Sequence, residues 1–250
     1  MDFSGKTAIV TGGARDIGRA ISLKLASHGA NVVVNFFNKS SDADETIRLI
    51  EAAGGKAIAV KADMTKWEDC QQLVAAARKA FGEEIHYLVN NAGGLVARKK
   101  LMEMDLEFWD TVMDLNLKST FMMHKATVPY MPQGSAIVNL ASQAGRDGGG
   151  GGSAAYSTSK GGVMTFTRAM SKELGPDGIR VNAVCPGMID TTFHDTFTTD
   201  AVRTMVAGNV PLRREGAASE VAGAVASLLS EDTSYINGAN VDINGGLAFS

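Results

Sequence analysis

The alternation of short β-branched apolar runs with longer segments of helical period constrains this chain more than any other feature. KTAIVT is followed by a helical stretch from Ile17 to Ser27, NVVVNF by Ala43 to Ala53, and KAIAVKA by Trp67 to Phe81, after which comes IHYLVNN. Runs that are apolar throughout need cover on both faces, which a parallel sheet flanked by helices supplies, and right-handed crossovers then wind the sheet in both directions. The second half keeps the rhythm with a long helix near Asp105 to Met131, a strand SAIVNLA, a helix from about Ala154 to Leu174, a strand IRVNAVC, a helix Ala218 to Leu229 and a last strand ANVDIN. The expected fold is therefore α/β, a Rossmann-type doubly wound parallel sheet of seven strands with helices on both faces. With 250 residues, no shift in composition and no long polar linker, the chain reads as a single domain, 1–250. Within 186–211 the segment GMIDTTFHDTFTTDAVRTMVAGNV is too polar and irregular for the central sheet yet carries some helical spacing, and reads as a mobile substrate lid.

A chain of this size buries roughly 70 to 75% of the surface its unfolded form exposes, so neither disulfide nor metal is needed for stability. The two cysteines, Cys70 and Cys185, are expected as buried thiols in a reducing compartment, with the cytoplasm as the default. The four histidines, His28, His86, His124 and His194, have no spacing that converges on a metal, and none is expected. A net charge of −3, from 24 basic and 27 acidic residues, offers no basic field for nucleic acid and no polybasic membrane anchor. MDFSGKTAIVTGG lacks the pattern of an export signal, and no apolar run approaches the ~18 residues of a membrane span. A small-molecule partner is the expectation that survives.

The first strand runs directly into Thr11-Gly12-Gly13-Ala14-Arg15-Asp16-Ile17-Gly18 and then into a helix. That places free N–H groups and the positive end of a helix dipole at the carboxyl edge of the sheet, where glycine lets a phosphate approach the backbone. A tight βα connection would need the same glycines, so the turn gains its meaning from its place after the first strand. At the other end of the expected site, Tyr156 and Lys160 are four residues apart in AAYSTSKGGVMTF and share a helix face, where an ammonium would favour the tyrosinate. Ser142 lies 14 residues before Tyr156, at the end of SAIVNLA, placed to hydrogen-bond the same substrate oxygen.

Taken together, Thr11-Gly12, Ile17-Gly18, Asp63, Asn90-Asn91-Ala92-Gly93, Asn116, Ser142, Tyr156-x3-Lys160 and Pro186-Gly187 resemble the short-chain dehydrogenase/reductase family over essentially the whole chain. The family usually has glycine where this chain has Asp16, and a carboxylate near a pyrophosphate is unfavourable, so Asp16 is expected to point away from it. The resemblance implies a nicotinamide-dependent carbonyl reductase with Asn116, Ser142, Tyr156 and Lys160 as its catalytic set. Tyr156 would deliver the proton, Lys160 would reach the nicotinamide ribose, and Asn116 would hold a water linking Lys160 to solvent. It further implies that Asp63 binds the adenine amino group, that Asn90 to Gly93 line the adenosine pocket and stabilise the sheet, and that Met64, Pro186, Gly187 and Ile189 touch the cofactor.

The second strand ends Val34-Asn35-Phe36-Phe37-Asn38-Lys39-Ser40, with no acid before Asp42 to hold a ribose 2′-hydroxyl. Arg15 and Lys39 are the candidate cations for a 2′-phosphate, so NADPH is expected ahead of NADH, although both cations are equally at home as solvated surface charges. Family resemblance also implies a homotetramer, built on the Asp105 to Met131 and Ala154 to Leu174 helices and on the strand near Val241 to Gly246.

Three functions compete: a reductase of small sugar-derived carbonyls, a 3-oxoacyl carrier-protein reductase, and a dinucleotide-sensing regulator without turnover, against which the intact catalytic set argues. Lys99, Lys100, Arg213 and Arg214 suit either an acidic carrier protein or a small carboxylate. The loop after Ser142, Gln143-Ala144-Gly145-Arg146-Asp147 and then five glycines, leaves room for a polar ligand. NNAGGLVAR, VMDLNLKSTFMMHK, GRDGGGGGSAAY and IDTTFH are similar to stretches of alginate-metabolism reductases that convert 4-deoxy-L-erythro-5-hexoseulose uronate to 2-keto-3-deoxygluconate. On that reading Gln143 touches substrate, and Arg98, Arg146 or His194 binds the carboxylate.

Overall fold

A computed structural model describes residues 1–249, apart from the side chains of His194 and Asp195. Seven strands, β1 (Thr7–Val10), β2 (Asn31–Phe36), β3 (Lys56–Lys61), β4 (Tyr87–Asn90), β5 (Ala136–Leu140), β6 (Arg180–Pro186) and β7 (Asn240–Ile243), form one parallel sheet in the order β3-β2-β1-β4-β5-β6-β7. The helices are α1 (Asp16–Ser27), α2 (Ser40–Ala52), α3 (Trp67–Phe81), α4 (Leu106–Met113), α5 (Ser119–Thr127), α6 (Ala144–Asp147), α7 (Ala154–Leu174), α8 (Thr192–Phe197), α9 (Asp200–Asn209) and α10 (Ala218–Leu229).

Successive strand residues point to opposite faces, and both faces are covered. Val10, Val34, Val89 and Val138 pack with Ile21 and Leu25 of α1, Ile50 of α2 and Val225 of α10, while Ile9, Val33, Leu88 and Ile137 pack with Leu73 of α3 and Met122 and Met123 of α5. This accounts for the unbroken apolar runs of the central strands. β1 is flanked by β2 on one side and β4 on the other, so the chain reverses its winding there and a crevice opens at the carboxyl ends of β1 and β4.

One feature departs from the expected pattern. The long helix is interrupted at Asp114–Lys118 by a wide π-type turn, in which Ser119 Oγ donates to Leu115 O at 2.6 Å and Thr120 Oγ1 to Asn116 O at 3.0 Å. Hydroxyls that offer carbonyls an alternative partner favour such a widening. The segment expected as a lid contains two helices, α8 and α9, standing over the crevice.

Candidate active site

The glycine-rich turn is built from contacts no local pattern specifies. Thr11, buried beneath it, accepts from the backbone N–H groups of Asn91 and Ala92, both at 3.0 Å. Gly12, at φ +60°, donates its N–H to Asn35 Oδ1 at 3.0 Å, and a Cβ on Gly18 would stand 2.0 Å from the Gly12 carbonyl. Asn35 is buried near the end of β2 and also donates to Ala62 O at 3.0 Å, so it ties β2, β3 and the turn together. Sequence reasoning missed it; a polar residue ending an otherwise apolar VVVNF run was the available signal.

From this turn a cavity of about 900 Å³ runs past Asn91 to Gly94 and reaches Ser142, Tyr156 and Lys160. The glycines of the turn and the N-terminus of α1 opening into the cavity fit a dinucleotide, with phosphates at Gly12 to Gly18 and the reacting end toward Tyr156. Arg15, Asp16, Ile17 and Lys39 line the first end, and Pro186, Gly187 and Ile189 line the second. Asp42, set aside in reading the sequence, also lines the first end.

Several expected contacts fall elsewhere. Asp63 accepts from the N–H and hydroxyl of Thr65 at 2.9 and 2.7 Å, and neither it nor Met64 lines the cavity; the Met64 side chain belongs to the core under α3. Asn90 is buried in the sheet, donating to Asn139 Oδ1 at 2.8 Å, so its part is to join β4 to β5 while Ala92 and Gly93 face the cavity.

At the chemical end, Lys160 is buried and Nζ donates to Leu140 O at 2.6 Å. Burial pulls its ammonium down to about 8. Burial pushes the Tyr156 phenol up, opposed by a hydrogen bond with the Ser142 hydroxyl. Lys160 Nζ lies 5.8 Å from the Tyr156 ring centroid and donates to a backbone carbonyl, and desolvation is the largest influence on the phenol. Asn116 spends its side chain on backbone, accepting from Gly94 N and donating to Gly94 O and Val112 O, each at 2.9 Å. A Cβ on Gly93 would meet Asn116 Oδ1 at 2.6 Å and Lys160 Nζ at 3.2 Å, so only glycine lets these two groups close around that turn.

The substrate end is separated by its tertiary partners. Arg146 does not line the cavity: Nε pairs with Asp242 at 2.6 Å and an Nη donates to Asn240 O at 2.6 Å, which locks the α6 loop to β7 and corrects the expectation of a substrate contact. Arg98 does line it, bonded only to the carbonyls of Phe197 and Gly151 at 3.3 and 3.1 Å, with no carboxylate partner among the described residues. Gln143 lines it too, with Nε2 on Asp147 at 2.9 Å and a buried Oε1 left without a partner among the described residues. The side chain of His194 lies outside the described residues. Two aromatics not anticipated, Phe193 and Phe197 of α8, cover Tyr156, the Phe193 ring 6.1 Å from Tyr156 and 5.1 Å from Phe197.

The sheet order, the glycine turn at its switch point and the adjacent Ser, Tyr and Lys define a class, the nicotinamide-dependent oxidoreductases of alcohols and carbonyls. The family described as enoyl-(acyl carrier protein) reductase matches residues 12–248. Glucose 1-dehydrogenase 2 of Bacillus subtilis is 37% identical, covering 98% of this chain and 96% of its own, and a 3-oxoacyl-[acyl-carrier-protein] reductase of Synechocystis is 38% identical, covering 98% of both. Among solved structures, an NADH-dependent reductase A1-R′ responsible for alginate metabolism matches at TM-score 0.91 and 35% identity, covering 99% of both chains. A short-chain dehydrogenase/reductase from Serratia marcescens matches at 0.93 and 33%, again covering 99% of both. The chain belongs to the short-chain dehydrogenase/reductase family and is an oxidoreductase acting on CH–OH and C=O groups with NAD(P). Among the described residues no helix is long and apolar enough to cross a membrane.

Proposed function

We propose that this enzyme reduces a small sugar-acid aldehyde or ketone, with 4-deoxy-L-erythro-5-hexoseulose uronate to 2-keto-3-deoxygluconate as the reaction. One observation carries the reading: the cavity that reaches Tyr156 is also lined by the Arg98 guanidinium, which has no carboxylate partner among the described residues. A cation of this kind suits the carboxylate of an oxidised sugar acid. The alginate-metabolism neighbour supports the same class.

A nicotinamide, when bound along this cavity, would supply the hydride. Tyr156 holds its proton at neutral pH because burial raises the phenol, and delivers it to the carbonyl oxygen as charge develops there; Ser142 orients that oxygen. Lys160, held near 8, is largely cationic at neutral pH and would stabilise the phenolate left behind, and Asn116 fixes the Gly93–Gly94 wall of the cavity. Lys39 and Arg15 at the first end support NADPH over NADH, with Asp42 as the opposing charge. Exposed Leu106 and Phe121 near α7 and exposed Tyr235 and Ile236 near β7 support the homotetramer, which light scattering tests.

Reduction of a 3-oxoacyl carrier-protein thioester is the second reading, favoured by the names of relatives 36 to 38% identical. Its expected basic patch is partly neutralised, since Lys99 pairs with Asp105 and Arg214 with Glu220. Arg98→Ala should weaken reduction of the uronate about tenfold, through loss of a charge-assisted contact at an exposed rim, while sparing a neutral aldehyde of similar size. Equal losses on both, or turnover of acetoacetyl thioester alone, overturn the sugar-acid reading. Assay with both cofactors tests the NADPH preference: Lys39→Ala should raise KM for NADPH far more than for NADH.

A further inference from the structure

Asp16 stands in the phosphate-binding turn at φ +50°, a left-handed conformation that aspartate tolerates but glycine adopts freely. Its carboxylate is turned across the crevice to Thr192, the first residue of α8, accepting from the Thr192 N–H at 3.2 Å and from Oγ1 at 2.6 Å. Arg15 donates to the same Oγ1 at 2.9 Å and lies 3.7 Å from the Asp16 carboxylate. The first N–H groups of a helix have no partner within it, so Asp16 caps α8 from 176 positions away. The far end of α8 is also held, since Arg98 Nε donates to Phe197 O at 3.3 Å. Between these two ties sits Phe193, packed on Tyr156.

We propose that Asp16 is a positioning residue that fastens α8 to the phosphate-binding turn, so that the cofactor end of the crevice and the aromatic cover over Tyr156 move as one body. The charge that is unfavourable beside a pyrophosphate is spent on Thr192 and Arg15 instead, which explains how an acid is accommodated at this position. Because Phe193 rides on α8, releasing its N-terminus loosens the wall facing the substrate while leaving Ser142, Tyr156 and Lys160 in place.

Hydrogen exchange of the cofactor-free protein tests the clamp directly, because the Thr192 amide is one of its bonds. Thr192→Val, which removes the hydroxyl bond to Asp16, should speed exchange of the 192–197 amides about tenfold, the loss expected for one charge-assisted hydrogen bond, and Asp16→Gly, which removes the bonds from both the Thr192 N–H and hydroxyl, should speed it at least as much. The double variant should go no faster than Asp16→Gly alone, and Asp16→Asn, which keeps one acceptor oxygen, should restore part of the protection. In turnover, Asp16→Gly should raise substrate KM more than it lowers kcat, a split that a general loss of folding does not produce. Unchanged exchange in both single variants, additive effects in the double, or equal acceleration throughout α1 overturns the proposal. The exchange arm is independent of which carbonyl the enzyme reduces, so it stands apart from the sugar-acid reading.

Discussion

Lys160 offers a quantitative test of the chemical end, because the environment that tunes it for proton handling also burdens the fold. Replacing it by Met keeps the aliphatic stem in its buried site and removes the charge. An ordinary lysine near 10.5 held at about 8 corresponds to roughly 3 kcal/mol of destabilisation at neutral pH, taking ~1.4 kcal/mol for each pH decade. Losing the bond to Leu140 O costs about 1 to 2 kcal/mol, so K160M should be more stable than the wild type at pH 7 by roughly 1 to 2 kcal/mol while losing turnover. The sign follows from proton binding. Between about 8 and 10.5 the unfolded chain binds more protons at this lysine than the folded one, so Lys160 makes stability rise with pH across that window, and below it the penalty is fully present. Cys70 and Cys185, pushed by burial up to about 12 and about 11, act oppositely over the same range, which is why the difference between variant and wild type is the quantity to follow. Urea unfolding read by circular dichroism at fixed protein concentration should show that difference falling from pH 7 to pH 10.5 and reversing sign. A difference constant to within ~0.5 kcal/mol across the range refutes the depressed ammonium, and with it the electrostatic role given to Lys160.

Tyr156→Phe should lower kcat by roughly 10² or more while cofactor affinity, measured by fluorescence titration, stays near wild type; near-normal turnover sinks the assignment of the proton donor. Gly18→Ala should abolish cofactor binding in the same titration, since its methyl would meet the Gly12 carbonyl and push the turn out of its phosphate-binding shape. Arg146→Ala should leave Asp242 without its partly buried partner and lower stability by up to about 3 kcal/mol in urea unfolding. Its activity losses should be equal on charged and neutral carbonyls, and a selective loss on the charged one would return Arg146 to the substrate site.

How much of this was legible in the sequence depends on the range over which each feature is determined. The seven strands and their helical cover follow from periods of two to four residues, and the glycine turn, the Tyr156 and Lys160 spacing and the strand-end Ser142 are local too, so they could be read before any folding was considered. The interruption around Asn116 was not, because the helical period continues through it; what widens the helix is the pull of Gly94, 22 positions away, together with two hydroxyls. Asn35 looked like a strand end and is a brace between three elements. The arginines make the contrast sharpest. Arg98, Arg146 and Arg15 carry the same charge in similarly polar stretches of sequence, and nothing in their immediate neighbours distinguishes them. Tertiary structure brings Asp242 to Arg146 and Thr192 to Arg15, and gives Arg98 only carbonyls at the rim of the cavity. Sequence by itself determined the scaffold and the types of reacting groups, since backbone conformation and burial pattern are local. Which charge is spent on the fold and which is left for a ligand was decided only by tertiary structure, because an ion pair is set by distance in space between residues far apart in the chain.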